Sequence, residues 1–269
     1  MNVREPLDID RIRQALLRAG FADIRYTTST GSTNTDLVAL AKEGAPAWTV
    51  ILAEQQTAGK GRMGRSYASP LYGQLTLSLL IRPPAESIER IGTMNLATGV
   101  GIIDALGLES GIRLKWPNDV IIENRKLCGM LAEAVAMGKE PAVVIGFGLN
   151  TGLRREELPV SHATSLYLED IEFDRNDLTI EVLKAVRTRL CQWQNNDLSY
   201  MADYRKVCVT IGQDVRVLLP GNEEVLGKAT AVLNDGRIVV VDNASEEHVF
   251  AVGDVEHLRL QGGTHWYSR

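Results

Sequence analysis

The chain is poor in cysteine, in positive charge and in long apolar runs. Its three cysteines, Cys128, Cys191 and Cys208, are odd in number and widely spaced, which excludes a disulfide framework. The four histidines are scattered, so no pair has metal-ligand spacing. No stretch approaches the roughly 18 consecutive apolar residues of a membrane helix, and residues 1–10 lack the apolar core of a signal peptide. A soluble, cytoplasmic protein with reduced thiols is expected. Lysine and arginine total 29 against 34 acids, a net charge of −5. Residues 212–260 hold 4 basic and 9 acidic side chains and so carry that whole surplus. A generic duplex-binding footprint is missing.

What is present is an ordinary folded composition, 45% hydrophobic and 23% charged over 269 residues. Helices are predicted over residues 8–20, 34–44, 88–106 and 177–195, where apolar side chains recur at helical spacing. Apolar or alternating runs predict strands at 48–54, 74–82 and 142–149, the second half-buried with Leu75, Leu77, Leu79 and Ile81 on one face. Residues 112–136 read as a hairpin region. Beyond about Lys206, short strands separated by turn signals predict a small β-barrel. The expected architecture is α/β (α+β): a mixed sheet with flanking helices in residues 1–206, and the barrel in 207–269.

Gly59-Lys60-Gly61-Arg62-Met63-Gly64 spells the GxGxxG string of dinucleotide sites. That motif requires a helix to open after the turn. Here a polar stretch and an alternating strand follow, with no acid about twenty residues on to meet a ribose, so a dinucleotide-dependent oxidoreductase is left as an alternative that rests on this string alone. The loop keeps another property. Lys60, Arg62 and Arg65 sit among glycines whose bare backbone lets an anion approach. A solvated turn explains that window equally well.

Other pieces carry polar groups to the ends of regular elements. Ser32-Thr33-Asn34 opens a helix, where capping is the default role. Gln56 follows a buried strand. Lys115-Trp116-Pro117-Asn118-Asp119 ends a strand at a proline and delivers an amide and a carboxylate, Asp119 being equally suited to capping the hairpin. Lys126 and Gly129 lie on the return arm, and Gly146-Phe147-Gly148-Leu149-Asn150 closes another strand.

Taken in order, these segments and Arg125-Lys126-Leu127-Cys128-Gly129 resemble the biotin protein ligases over roughly residues 28–168. The resemblance implies the mixed-sheet fold of the biotin and lipoate ligases, related to class II synthetases, with an SH3-like C-terminal barrel. It implies activation of biotin by ATP to biotinyl-5′-AMP, then transfer to a lysine of a biotin carboxyl carrier protein. Ser32, Thr33, Asn34, Gln56, Gly59, Lys60, Gly61, Arg62, Lys126, Gly129 and Gly146 would line the biotin site. Arg62, Arg65, Tyr67, Asn118, Lys126 and Asn150 would lie on the ATP side, with Tyr67 where some relatives have tryptophan. Lys126, Lys60 and Arg62 would carry the catalytic charge. Mg2+ is expected with ATP, without a metal cage of protein groups. The 31 residues before Ser32 hold one helix, too few for a winged helix-turn-helix, so a monofunctional ligase without nucleic-acid or membrane partners is expected. The resemblance admits a homodimer. It leaves a non-catalytic biotin sensor as the alternative, and it suggests that the cationic loop closes over the adenylate.

Overall fold

In the computed structural model, residues 4–219, 223–251 and 254–257 are described. Helix α1 (Ile9–Arg18) starts where the Asp8 carboxylate accepts from Arg11 N, and it buries Ile12 and Leu16 completely. Strand β1 (Asp23–Thr27) leads to α2 (Thr33–Lys42), capped by Ser32, and then to β2 (Thr49–Ala53). A small hairpin follows: β3 (Gln56–Lys60), a 3-10 turn at Arg62–Gly64, and β4 (Ser66–Ser69). Next come β5 (Gln74–Ile81), α3 (Met94–Leu106), β6 (Ile112–Lys115), β7 (Asp119–Ile122), β8 (Arg125–Ala136) and β9 (Ala142–Asn150). Helices α4 (Arg175–Gln194) and α5 (Ser199–Val207) close this part. Strands β10 (Asp214–Leu218), β11 (Glu224–Val232), β12 (Ile238–Asp242), β13 (Glu247–Phe250) and β14 (Asp254–His257) complete the chain.

The main sheet has seven strands in the order β1-β2-β5-β9-β8-β7-β6. Only β1 and β2 run parallel; the other pairs are antiparallel. The side-chain period of two divides β5 and β9 between two faces. Leu75, Leu77, Leu79 and Ile81 share one hydrophobic cluster with Val143, Ile145, Phe147 and Leu149, together with apolar residues of α1, α3 and α4. The opposite face starts apolar, with Leu80, Ala142 and Val144 packed under Leu37 and Ala41 of α2. Further along the same face the chemistry changes to Ser78 and Thr76 on β5 and to Gly146 and Gly148 on β9. Helix α2 therefore covers only half of that face, and the rest is the floor of a cavity.

Two expectations are corrected here. Strand β5 is buried along its whole length, because α2 and the β3–β4 hairpin cover its second face; Ser69 of that hairpin bonds Thr76. The helix expected over 88–106 is a 3-10 segment, Ala85–Thr93, followed by α3, with the Thr93 hydroxyl donating back to Arg90 O at the junction.

The expected barrel is a five-stranded antiparallel sheet in the order β13-β12-β11-β10-β14. It hangs from the segment that also carries Asn118. Trp116 N donates to Thr210 Oγ1 (3.0 Å), its indole N–H donates to Gly236 O (2.9 Å), and its ring is 2% exposed. The peptide Trp116–Pro117 is cis.

Candidate active site

The cavity measures about 800 Å³ and draws its wall from every segment singled out in the sequence. Ser32, Thr33, Asn34 and Gln56 stand at one part of it; Lys60, Gly61, Arg62, Arg65 and Tyr67 come from the hairpin; Asn118, Lys126, Gly129 and Gly146 come from the sheet. Five cations, Lys60, Arg62, Arg65, Lys115 and Lys126, face two carboxylates, Asp119 and Glu256. In a chain of net charge −5 this is a local positive site suited to anions.

Lys126 is held on both sides. Its main chain donates to His162 O (2.7 Å) and accepts from Thr164 N (2.8 Å), so the segment after β9 pairs with it as a bridge at Ala163. Its ammonium donates to Asp119 Oδ1 at 2.6 Å. Asp119 is the register partner of Gly129, and a Cβ there would lie 3.0 Å from the ammonium nitrogen. The bare glycine leaves the space that the lysine uses. Cys128, behind this pair, has its thiol pushed up by burial above all, which keeps it a protonated spectator.

The hairpin is a defined structure. Gly59 pairs with Tyr67 and Lys60 with Ser66, and Gly61 N donates to Arg65 O at 2.7 Å around the turn. A Cβ at Gly59 would lie 2.5 Å from Tyr67 O and 2.6 Å from the Gln56 amide nitrogen, so only glycine fits. Arg62 reaches across to Asn118, its guanidinium donating to Oδ1 at 3.1 Å. Strand β4 follows Gly64 where a dinucleotide site would open a helix. Tyr67 lies flat against β9: a Cβ on Gly148 would be 2.5 Å from its ring, and its hydroxyl donates to Gly148 O (2.8 Å). Burial holds that phenol far above its usual range, so it stays a donor.

At the other part, Gln56 Oε1 accepts from Thr33 N (2.8 Å) and from the Thr33 hydroxyl (3.0 Å). The Ser78 hydroxyl contacts Thr33 Oγ1 (2.7 Å) and Asn34 Oδ1 (2.5 Å), and Asn34 Nδ2 donates to Glu133 Oε2 (2.5 Å). Apart from Glu133 these are neutral donors and acceptors, placed about 7 Å, two strand residues along β9, from the register pair Gly148–Gly129 beside Lys126.

Two of the expected residues lie behind the wall rather than on it. Gly59 is buried within the hairpin. Asn150 is 2% exposed; its amide donates to Thr164 O (2.8 Å) and accepts from Gln74 (2.8 Å), bracing the segment that pins Lys126. Sequence reasoning missed Ser78, Glu133, His162 and the C-terminal residues Leu218, Val255 and Glu256, and quoted Lys115 within its segment without a role. Ser78 had a signal, a second hydroxyl after Thr76 on the face of β5 opposite its leucines. His162 had none, because the turn that brings it back to Lys126 is a long-range event. Its imidazole is held below the ordinary histidine range by burial first, then by the charges of Lys115 and Lys126.

Comparison with known proteins gives the family and the fold. Residues 26–150 match the Biotin/lipoate A/B protein ligase family, and residues 210–258 match the biotin protein ligase C-terminal domain. The biotin--[acetyl-CoA-carboxylase] ligase of Mycobacterium tuberculosis is 38% identical over 267 residues, covering 96% of this chain and 98% of that protein. The bifunctional ligase/repressor BirA of Salmonella typhimurium is 30% identical over 87% of this chain and 73% of its own length. The fold is similar to that of the Aquifex aeolicus biotin protein ligase solved in complex with biotin and ATP, with a TM-score of 0.75, 24% identity, and coverage of 88% of this chain and 100% of that one. End-to-end similarity, two matching family regions and a cavity built from the signature segments lead to one assignment: the chain belongs to the biotin protein ligases.

Proposed function

We propose that this chain is a biotin–[acetyl-CoA-carboxylase] ligase acting in two half-reactions within the one cavity. In the first, a biotin carboxylate oxygen attacks the α-phosphorus of ATP; a P–O bond forms, the bond to the β-phosphate oxygen breaks, and pyrophosphate departs. In the second, the amine of a carrier lysine attacks the activated carbonyl, an amide forms, and AMP leaves.

The residues divide this work by charge. Two anions must be brought into contact, and their repulsion is offset by cations already fixed in place. Lys126 is the central one, held by backbone pairing on both sides, so little reorganisation is needed as charge develops. Lys60, Arg62 and Arg65 are placed by the hairpin to balance the triphosphate. The neutral groups of Ser32, Thr33, Asn34 and Gln56 suit the uncharged ureido ring, with Gly146 giving it room. Asn118 lies on the nucleotide side, and Tyr67 forms a ring wall against β9. Asn150 acts from behind by holding the Lys126 segment. The carrier is a biotin carboxyl carrier domain of a biotin-dependent carboxylase.

Mg2+ enters as the companion of ATP. Asp119 is engaged by Lys126, and the one three-ligand cluster among the described residues, Asp242, Glu246 and His248, does not line the cavity. Phosphate oxygens and water would supply most of its ligands. We assign residues 1–206 to catalysis and 207–269 to the C-terminal unit. The described residues before Ser32 form α1 and β1, both built into the main layers. No helix among the described residues can cross a membrane, and we place the protein in the cytoplasm.

The convergence of Lys126 and the cationic hairpin on a single cavity carries this reading. Biotin-dependent exchange of pyrophosphate into ATP tests it, with wild type and Lys126→Ala compared. Exchange in the wild type that is lost in the variant supports ligase chemistry. Biotin binding without exchange in the wild type would make the chain a sensor instead.

A further inference from the structure

Glu133 lies on β8, two residues beyond Leu131, and so shares the cavity face of the sheet with it. Leu131, Gly146 and Ser78 stand in register across β8, β9 and β5. The Asn34 side chain lies along that row. Its Nδ2 donates to Glu133 Oε2 (2.5 Å) at one end and its Oδ1 meets the Ser78 hydroxyl (2.5 Å) at the other. Between them, a Cβ on Gly146 would come within 2.0 Å of Asn34 Oδ1, so the amide oxygen sits directly over the bare backbone.

An asparagine amide can be turned end for end with little change in shape, and its neighbours decide which way it points. Ser78 cannot decide, because a hydroxyl both donates and accepts. Glu133 can, because an ionised carboxylate only accepts; turning the amide over would press its carbonyl oxygen against a carboxylate oxygen at hydrogen-bond distance, and the Leu131 carbonyl acts in the same direction from the longer distance of 3.5 Å. We propose that Glu133 is a positioning residue for substrate: it orients the Asn34 amide so that Oδ1, over Gly146, accepts an N–H of the ureido ring. The inference rests on the reading that the Ser32–Asn34 end of the cavity holds that ring. Glu133 itself does not line the cavity and acts only through Asn34. The Ser78 hydroxyl completes the row by linking Asn34 to Thr33 and thence to Gln56. Four polar side chains, Asn34, Ser78, Thr33 and Gln56, thus stand in one row that ends on a carboxylate outside the wall.

Three variants of the full chain test this: Glu133→Gln, Glu133→Ala and Asn34→Ala. They are compared by biotin affinity in calorimetry and by KM and kcat in biotin-dependent pyrophosphate exchange. Loss of one oriented hydrogen bond should weaken biotin by about 10-fold or more in Glu133→Ala, with kcat and the KM for ATP within about 2-fold of wild type. Glu133→Gln fills the same volume but donates as well as accepts, so it should still raise the KM for biotin by about 3-fold or more. A space-filling role predicts no change for glutamine, and that result would overturn the proposal. So would equal shifts in biotin KM, ATP KM and melting temperature, which mark general loosening of the sheet. If Asn34→Ala weakens biotin and neither Glu133 variant does, the inference fails while the binding site stands. If Asn34→Ala leaves biotin binding intact, the placement of the ureido ring is itself wrong.

Discussion

The ammonium of Lys126 and the carboxylate of Asp119 meet at 2.6 Å across a hairpin whose opposing position is glycine. Each side chain is more than a fifth exposed to the cavity, so the pair is accessible to an incoming anion. A substrate carboxylate or phosphate can share the ammonium without breaking the contact that aims it.

Removing that charge should therefore abolish chemistry rather than folding. Lys126→Ala is expected to lower biotin-dependent exchange by about 10²–10³-fold or more, the range for losing a preorganised electrostatic group. Asp119→Asn keeps a weaker acceptor and should cost less. A variant losing under about 5-fold would remove Lys126 from the central role.

Filling the bare strand tests the opposite part of the site. Gly146→Ala places a methyl group 2.0 Å from Asn34 Oδ1 and 3.0 Å from Ser78 Oγ. Asn34 must swing away, and such overpacking costs about 1–3 kcal/mol. The KM for biotin should rise steeply while ATP binding persists, as separate titrations would reveal.

Arg62 lies at the hairpin tip and bonds Asn118 on the sheet. If the hairpin shields the adenylate from water, Arg62→Gly should still form the activated acyl group and release it. Labelling of unrelated lysines, assayed on a bystander protein, is the expected result. Simple loss of adenylation would mean that Arg62 serves the first step alone.

A buried ionic knot behind the site should dominate stability. Arg175 Nη2 donates to Glu54 Oε2 (2.7 Å), whose other oxygen accepts from Leu7 N (2.8 Å) and from the Tyr26 hydroxyl (3.0 Å). The Glu54 side chain is fully buried and that of Arg175 is 6% exposed. Burial and the Glu54 charge push the Tyr26 phenol up to about 12. Glu54→Ala strands the guanidinium without its partner, at a cost of about 3–5 kcal/mol in urea unfolding. A loss below about 1 kcal/mol would show that the arginine finds another partner.

Acid sensitivity should trace to His257. Its imidazole is pushed down to about 4 by burial, aided by the charge of Lys115. A histidine lowered in the folded state binds its proton more readily when unfolded, so its contribution is whole above about pH 6.5 and is lost as pH falls toward 4. The loss should be about 2–3 kcal/mol over that window. His257→Gln should flatten this part of the stability profile, measured by melting between pH 7.5 and 4.

The legible parts of the molecule were those decided within a few residues. Asp8 and Ser32 announced their helices as caps, and the alternation of β5 named the face that joins the main core. The signature segments showed where polar groups leave regular structure. Pairing was less legible. That Ser78 and Leu131 flank Gly146 follows from strand register, which no local pattern encodes, and Glu133 becomes relevant only through that register. The glycine loop carries no strand signal, yet it forms paired strands with a register shift between Gln56 and Gly59. The 3-10 segment before α3 also escaped, since its helical spacing masks the break around Gly92 and Thr93.

The two bonds made by Trp116 tie the C-terminal sheet to the strand end that bears Asn118. A chimera that replaced this sheet would have to supply a hydroxyl for the backbone of Trp116 and a carbonyl for its indole, at the positions now held by Thr210 and Gly236. Without them the strand end bearing Asn118 would lose its brace, so the two halves of the chain can be exchanged only as a matched set.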